Sequence, residues 1–356
     1  MKQLFIFALC VFIACPALSS EKNDVSFLLE DVKNNSDTAT SEENDKNSIF
    51  SFLNFGSKHK KNIQSKEDTI ATTQRLADEG DVNAQLFLGY SYLYGTNGIE
   101  IDYKKAHNYY TKAALQGNPI ALNNLGSLYY GGLGVSRSSS KAVALFSQAA
   151  ALDNAEAAVN LAFILISGNG ADKDEIKAMT YFEKAAKANN PIAQFMLGYA
   201  YYTGKLRPKN YNLAASLIKH AAQSGFDEAQ YVLSNMYING WGVPQNYGLA
   251  VNYLHKAVDQ GRVDAMMLLG DILAEGTKYT QDVYTAHILF NLAAVKNIAG
   301  AAERRAFVEK RMKIDVVLQA QEAANKYKAN LSELTSYVRE TFGADIRNYI
   351  EASQTK

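Results

Sequence analysis

The sequence predicts an all-α solenoid of stacked helical hairpins, and three periodic observations carry that prediction. Alanines recur at Ala84, Ala121, Ala157, Ala193, Ala229 and Ala265, spaced by 37 residues once and by 36 thereafter. A second series, Ala106, Ala142, Ala178, Ala214, Ala250 and Ala286, repeats strictly every 36 residues. The eleventh residue after each opening alanine is glycine: Gly95, Gly132, Gly168, Gly204, Gly240 and Gly276. Self-similarity at such a period marks a repeat array, in which each unit buries its apolar face only by stacking on its neighbours.

Each half of the unit follows from its spacing. The fourth residue after the opening alanine is always leucine, from Leu88 and Leu125 to Leu269, and the eighth is Tyr92, Tyr129, Leu165, Tyr201, Tyr237 or Leu273. Steps of four place these groups on one stripe of a first helix. The fifth residue is small, as in Gly89, Gly126, Ala162, Gly198, Ser234 and Gly270, and the recurrent glycine ends the helix as a left-handed cap. After the second alanine comes a large pair, such as Tyr109 and Tyr110 or Leu289 and Phe290, and four residues later a small pair such as Ala113 and Ala114. That order suits a second helix docked closely on the first.

The motif A-x-x-x-L-G-x-x-Y-x-x-G, the G-x-G-V loops at Gly132 to Val135 and Gly240 to Val243, and K-A-x-x-Y-x-K-A-A at Lys105 to Ala114 resemble the Sel1-like repeat family, a relative of the tetratricopeptide repeats. The resemblance covers Ala84 to Asn297, about 60% of the chain. The third unit departs through Ala162 and Leu165, and the sixth through the TKYTQD loop. The resemblance implies a right-handed α/α superhelical solenoid that binds a protein or peptide partner in envelope assembly, signalling regulation or host contact.

The chain outside the repeats divides by composition. Residues 1–19 combine Lys2, an apolar run from Leu4 to Ala14 and Pro16, the pattern of a secretory signal peptide cut after Ser19 or Ser20. Phe12 to Cys15 also suits a lipoprotein signal, in which Cys15 becomes the lipidated first residue of an envelope lipoprotein. Both cysteines, Cys10 and Cys15, fall inside this leader, so the predicted mature chain has no disulfide. Export to the periplasm or beyond is the expectation. Residues 20–65 are rich in Asn, Ser, Asp, Glu and Lys and predict a disordered tether. Within it, Ile49 to Phe55 is apolar and is expected to fold back on the first repeat or to meet a membrane or partner. Residues 66–80 predict an N-terminal capping helix, 81–297 six repeats, and 298–356 C-terminal capping helices. Among these caps, Ala302 to Tyr327 reads as one long helix, and Leu331 to Ala352 as one or two amphipathic helices around Gly343.

Function classes narrow by elimination. The 36 basic and 36 acidic residues balance, so no broad attraction to nucleic acid or anionic lipid is expected. Among His59, His107, His220, His255 and His287 there is no His-x-x-x-His pair, and no metal or cofactor site is expected. The last four are placed at variable, exposed positions of second helices. The family resemblance raises a penicillin-interacting, cell-wall enzyme as an alternative. Ser-x-x-K does occur, as Ser57 to Lys60 and Ser216 to Lys219, but without the accompanying Ser-Asp-Asn and Lys-Thr-Gly elements. A non-enzymatic scaffold is the expectation.

The candidate binding surface lies at the third, sixth and tenth residues after each opening alanine, opposite the packing stripe. In order these are Phe87, Tyr90, Tyr94; Asn124, Ser127, Gly131; Asn160, Phe163, Ser167; Met196, Tyr199, Thr203; Val232, Asn235, Asn239; and Leu268, Asp271, Glu275. Asparagine both donates to and accepts from a peptide backbone, and tyrosine offers apolar area with a polar tip. A peptide groove on Asn124, Asn160 and Asn235, anchored by Tyr90 and Tyr199, is the expectation. Phe87, Val232 and Leu268 are also suited to packing on adjacent repeats.

Overall fold

The computed structural model describes residues 66–354. The leader at 1–19, the tether at 20–65 and the Ile49 to Phe55 stretch lie outside the described residues, as does Ser57 to Lys60. Among the described residues the chain is helical throughout, without a strand. Helix α1 (Lys66–Asp78) precedes the repeats, whose hairpins are α2 (Val82–Tyr94) with α3 (Tyr103–Leu115), α4 (Pro119–Gly131) with α5 (Ser139–Ala151), α6 (Ala155–Ser167) with α7 (Glu175–Lys187), α8 (Pro191–Thr203) with α9 (Tyr211–Gln223), α10 (Asp227–Asn239) with α11 (Tyr247–Asp259), and α12 (Val263–Glu275) with α13 (Val283–Val295). Then come α14 (Ala301–Glu309), α15 (Ile314–Lys326), α16 (Glu333–Thr341) and α17 (Gly343–Gln354).

Side-chain caps repeat with the hairpins. Three residues before the opening alanine, Asp81, Asn118, Asn154 and Asn190 accept from the backbone N–H of Ala84, Ala121, Ala157 and Ala193 at 2.6, 2.9, 2.7 and 3.0 Å. Asp102, Ser138, Asp174, Asn210, Asn246 and Asp282 do the same for the second helices. Each such acceptor satisfies an N–H that has no partner within its own helix. At the other end of the first helices, the recurrent glycine takes a left-handed backbone with φ of 68° to 81° and bonds back four residues.

The small fifth position is explained by what covers it. A Cβ added to Gly89, Gly126, Gly198 or Gly270 would stand 2.7, 2.9, 2.8 or 2.6 Å from Tyr110, Phe146, Ile218 or Phe290 of the paired helix. Those large residues are buried there, as are all six second alanines.

The chain separates into two compact units, one ending at Ala185 and the other beginning at Ala186. In the first, α1 to α6 pack each on the next. In the second, α8 to α13 do so, and both α14 and α15 pack on α13. Glutamine pairs close two of the hairpins. Gln116 Nε2 donates to Gln85 Oε1 at 2.9 Å and to Gly80 O at 3.0 Å, and Gln260 Nε2 donates to Gln230 Oε1 and Gly225 O, both at 2.9 Å.

The single long helix expected from Ala302 to Tyr327 is broken. Helix α14 stops at Glu309, a turn follows in which Arg311 N and Met312 N bond to Val308 O and Glu309 O, and α15 starts at Ile314. The break lets Val308 and the stripe Val317, Ala320 and Ala324 bury from two helices, which one straight rod could not do over so short a partner.

Candidate interaction surface on the first helices

The predicted surface residues fall into both units and are held differently in each. In the first unit, Tyr90 is half-buried, its ring centre 4.8 Å from that of Tyr94, and burial raises its phenol pKa. Asn124 and Asn160 are both 4% exposed and are joined through a residue the sequence reading passed over, Asn123. Asn160 Nδ2 donates to Asn123 Oδ1 at 2.9 Å, and Asn123 Nδ2 donates to Asn124 Oδ1 at 3.3 Å. Asn160 Oδ1 and Ser127 Oγ are buried without a hydrogen-bond partner among the described residues. This ladder links α4 to α6 and fixes their register through polar contacts inside the stack.

In the second unit, Tyr199 is buried among aromatic rings: Phe195 at 5.7 Å, Tyr202 at 5.8 Å and Tyr349 of α17 at 6.1 Å. Tyr202 also faces Tyr211 at 6.0 Å and Trp241 at 5.8 Å, while Tyr211 and Trp241 stack at 5.5 Å. Burial, then the neighbouring tyrosines, push the Tyr202 phenol up to about 12. Asn235 is half-buried, and its Nδ2 donates to Tyr231 O at 3.1 Å on its own helix. Asp271, at the sixth position of the last repeat, pairs with Arg304 of α14 at 2.8 Å. Two sixth positions of this unit are thus met by helices from beyond the repeats.

A buried ionic cluster supports the same end of the unit. Arg262 holds Glu228 through both terminal nitrogens, lies 3.7 Å from Asp227 and 3.0 Å from Asp264, and Asp227 is also 2.6 Å from Arg339 of α16. Burial pushes the Glu228 carboxyl pKa up against the downward pull of Arg262. Phe226 and Arg262 stand where the earlier repeats carry a capping Asp or Asn, and neither caps its helix. Thr335 of α16 substitutes for the first of them, its Oγ1 accepting from Asp227 N at 3.1 Å. A residue with no place in the repeat period could not be read as a cap from spacing; Gln85 and Gln230, each directly after an opening alanine, did leave a periodic signal.

The expectation that His287 is exposed is corrected: it is fully buried, with Nε2 2.8 Å from Glu309 Oε1. Helix α14 folds back along α13 and lays its last residue, Glu309, over His287. His220 and His255 are exposed and His107 half-buried, 3.3 Å from Tyr129 Oη. Ser216 and Lys219 both lie on the exposed side of α9. Among the described residues no three His, Cys, Asp or Glu side chains group as metal ligands, and no helix is long and apolar enough to cross a membrane.

The Sel1 repeat model matches six successive stretches, at 82–118, 119–154, 155–190, 191–226, 227–261 and 263–295. No curated protein matches the chain significantly. Among solved structures, a Sel1 repeat protein from Oxalobacter formigenes is 26% identical, covering 64% of this chain and 96% of its own, with a TM-score of 0.52. The protective antigen c5321 of uropathogenic Escherichia coli, described as having an SLR fold, is 22% identical over 78% of this chain and 75% of its own, with a TM-score of 0.37. Six matched repeats, the helical hairpins and the solenoid neighbour agree, and the chain belongs to the Sel1 repeat family, whose members are generally non-catalytic scaffolds that bind proteins.

Proposed function

We propose that this protein is an exported scaffold that binds a partner protein or peptide on the first-helix faces of its repeats, in envelope assembly, signalling regulation or host contact. The observation that carries the reading is the contrast between fixed and variable positions. Alanine, leucine and glycine recur at the packing positions of all six repeats, while the third, sixth and tenth positions range from Phe87 and Tyr90 to Asn235 and Glu275. Asn124, Asn160 and Tyr199 are buried and serve the stack, and the variation at the accessible positions supports recognition by side-chain chemistry rather than catalysis. Half-buried Tyr90 and Asn235 remain partly accessible for contact. The apolar run and small residues of the leader support export.

Two measurements test this. The full-length chain, crosslinked in its native cells and captured, is compared with a Tyr90→Ala, Asn235→Ala variant of equal melting midpoint. Recovery of the crosslinked partner is expected to fall at least tenfold; equal recovery would place binding on another surface. Mass spectrometry of the mature chain is expected to find Ser20 or Glu21 at its N-terminus. An acylated Cys15 there would make it a lipid-anchored protein, and an intact Met1 would overturn export.

A further inference from the structure

The C-terminal tail does not stop where a cap would. Helices α14 and α15 close the last hairpin by packing on α13. Beyond Lys326 the chain turns back along earlier repeats. The Tyr327 hydroxyl donates to Val258 O, Asn330 N to Asp259 O at 2.7 Å, and Ser332 N to Gln260 Oε1 at 2.9 Å. Ser332 Oγ and Thr335 Oγ1 then donate to Gly225 O at 2.8 and 3.1 Å, and Arg339 meets Asp227. Finally Tyr349 reaches Tyr199 at 6.1 Å, with Lys205 Nζ 5.3 Å from the centre of its ring. The contacts step back from the end of the fifth hairpin into the first helix of the fourth, onto the very position predicted as a binding anchor.

The two tail helices are held by different chemistry. Helix α16 is tied by hydrogen bonds and by Arg339, and it caps α10. Helix α17 attaches by an apolar stripe. Ile346 and Tyr349 are buried and Ile350 half-buried, whereas Ala344, Arg347, Asn348, Glu351 and Ala352 are exposed; Phe342, just before the helix, is buried against Tyr337 of α16 at 5.8 Å. Steps of three and four residues, from Ile346 to Tyr349 and Ile350, are one face of a helix, the arrangement by which an amphipathic helix seats in the groove of another protein. At the junction, the buried Thr341 Oγ1 has no hydrogen-bond partner among the described residues, a desolvation that the docked state leaves uncompensated.

We propose that the first-helix face around Tyr199 is a receptor for an amphipathic helix presenting groups like Ile346, Tyr349 and Ile350, and that α17 fills it in cis until a partner helix of that chemistry replaces it. This rests on the reading of the chain as a protein-binding scaffold and adds the occupant and its chemistry. Helix α16 stays anchored and acts as the hinge. A ligand on a short link acts at an effective concentration on the order of 1 mM, so an α17 that binds at ~0.1 mM would hold off a free helix about tenfold.

The test uses the full chain carrying Ile346→Glu and Tyr349→Glu, with a fluorescent synthetic peptide of residues 331–354 as the probe. The released chain is expected to bind the peptide at least tenfold more tightly than the wild type, and a peptide bearing the same two substitutions is expected not to bind. Hydrogen exchange is expected to speed up in α17 alone, with α8 to α13 unchanged. Equal binding by both chains, or none by the released chain, would overturn the proposal. So would loss of protection in α8 to α13, since α17 would then be a structural cap. Partner crosslinking lost in the Tyr90, Asn235 variant would leave the scaffold reading standing even if the peptide failed, so the two failures are separable.

Discussion

Thr335 caps a helix that begins 108 residues before it: its Oγ1 accepts from Asp227 N at 3.1 Å, where Phe226 occupies the capping position without an acceptor of its own. The earlier repeats place Asp or Asn there. Phe226 instead packs edge-on to Phe195 at 4.9 Å, and the tail supplies the missing acceptor. Thr335→Val, which removes only the hydroxyl, is expected to lower stability by about 0.5–2 kcal/mol, the usual cost of losing a cap. Urea denaturation measures it, and an unchanged midpoint would show that this bond does not stabilise the fold.

The ionic cluster beside that cap makes a stronger prediction. Arg262→Met leaves buried Glu228 without its bidentate partner and is expected to cost about 3–5 kcal/mol at neutral pH. Burial already raises the Glu228 pKa, and loss of the arginine raises it further. A carboxyl with a raised folded pKa favours the fold when protonated and loses that contribution as pH rises through the folded value. The deficit against wild type should therefore be smaller at pH 5 than at pH 8 in paired denaturation curves. A pH-independent gap would show that the loss is one of packing.

Glu156 offers a cleaner titration in the first unit. Burial is the larger influence and pushes its carboxyl from 4.5 up to about 7, against its own backbone N–H, which lowers it. Its stabilising contribution is fully present below about pH 4.5 and is lost as pH rises through about 7. Glu156→Gln should leave stability near pH 4 almost unchanged and raise it at pH 8 by on the order of 2–3 kcal/mol. Thermal melts across that range read the crossover. Parallel curves for the two proteins would show that Glu156 titrates normally.

Close packing within a hairpin is tested by adding one methyl group. Gly270→Ala drives a Cβ to 2.6 Å from the Phe290 ring, and overpacking of this kind costs about 1–3 kcal/mol. Gly248→Ala, where the nearest atom stands at 3.4 Å, is the control and should be nearly neutral. Differential scanning calorimetry of the two variants separates steric clash from a general effect of replacing glycine.

How much of this was legible beforehand depends on range. The opening alanines, the leucine stripe, the glycine beneath Phe290 and the terminal glycine of each first helix act within one hairpin or between neighbours. A contact made six times at one spacing leaves a period in the chain. For the same reason the Gln85 and Gln230 positions, though passed over, were readable in principle.

The tertiary structure alone decided the contacts that are made once and not in every repeat. Asn124 and Asn160 became a buried ladder because adjacent first helices approach closely enough for Asn123 to bridge them. His287 was covered because α14 folds back along α13 as far as Glu309, and Tyr199 met Tyr349 because the tail runs back along the repeats. Each of these is a contact made at one place in the chain. Its stability comes from apolar area and hydrogen bonds that exist only once both segments are folded, so nothing in local spacing announces it.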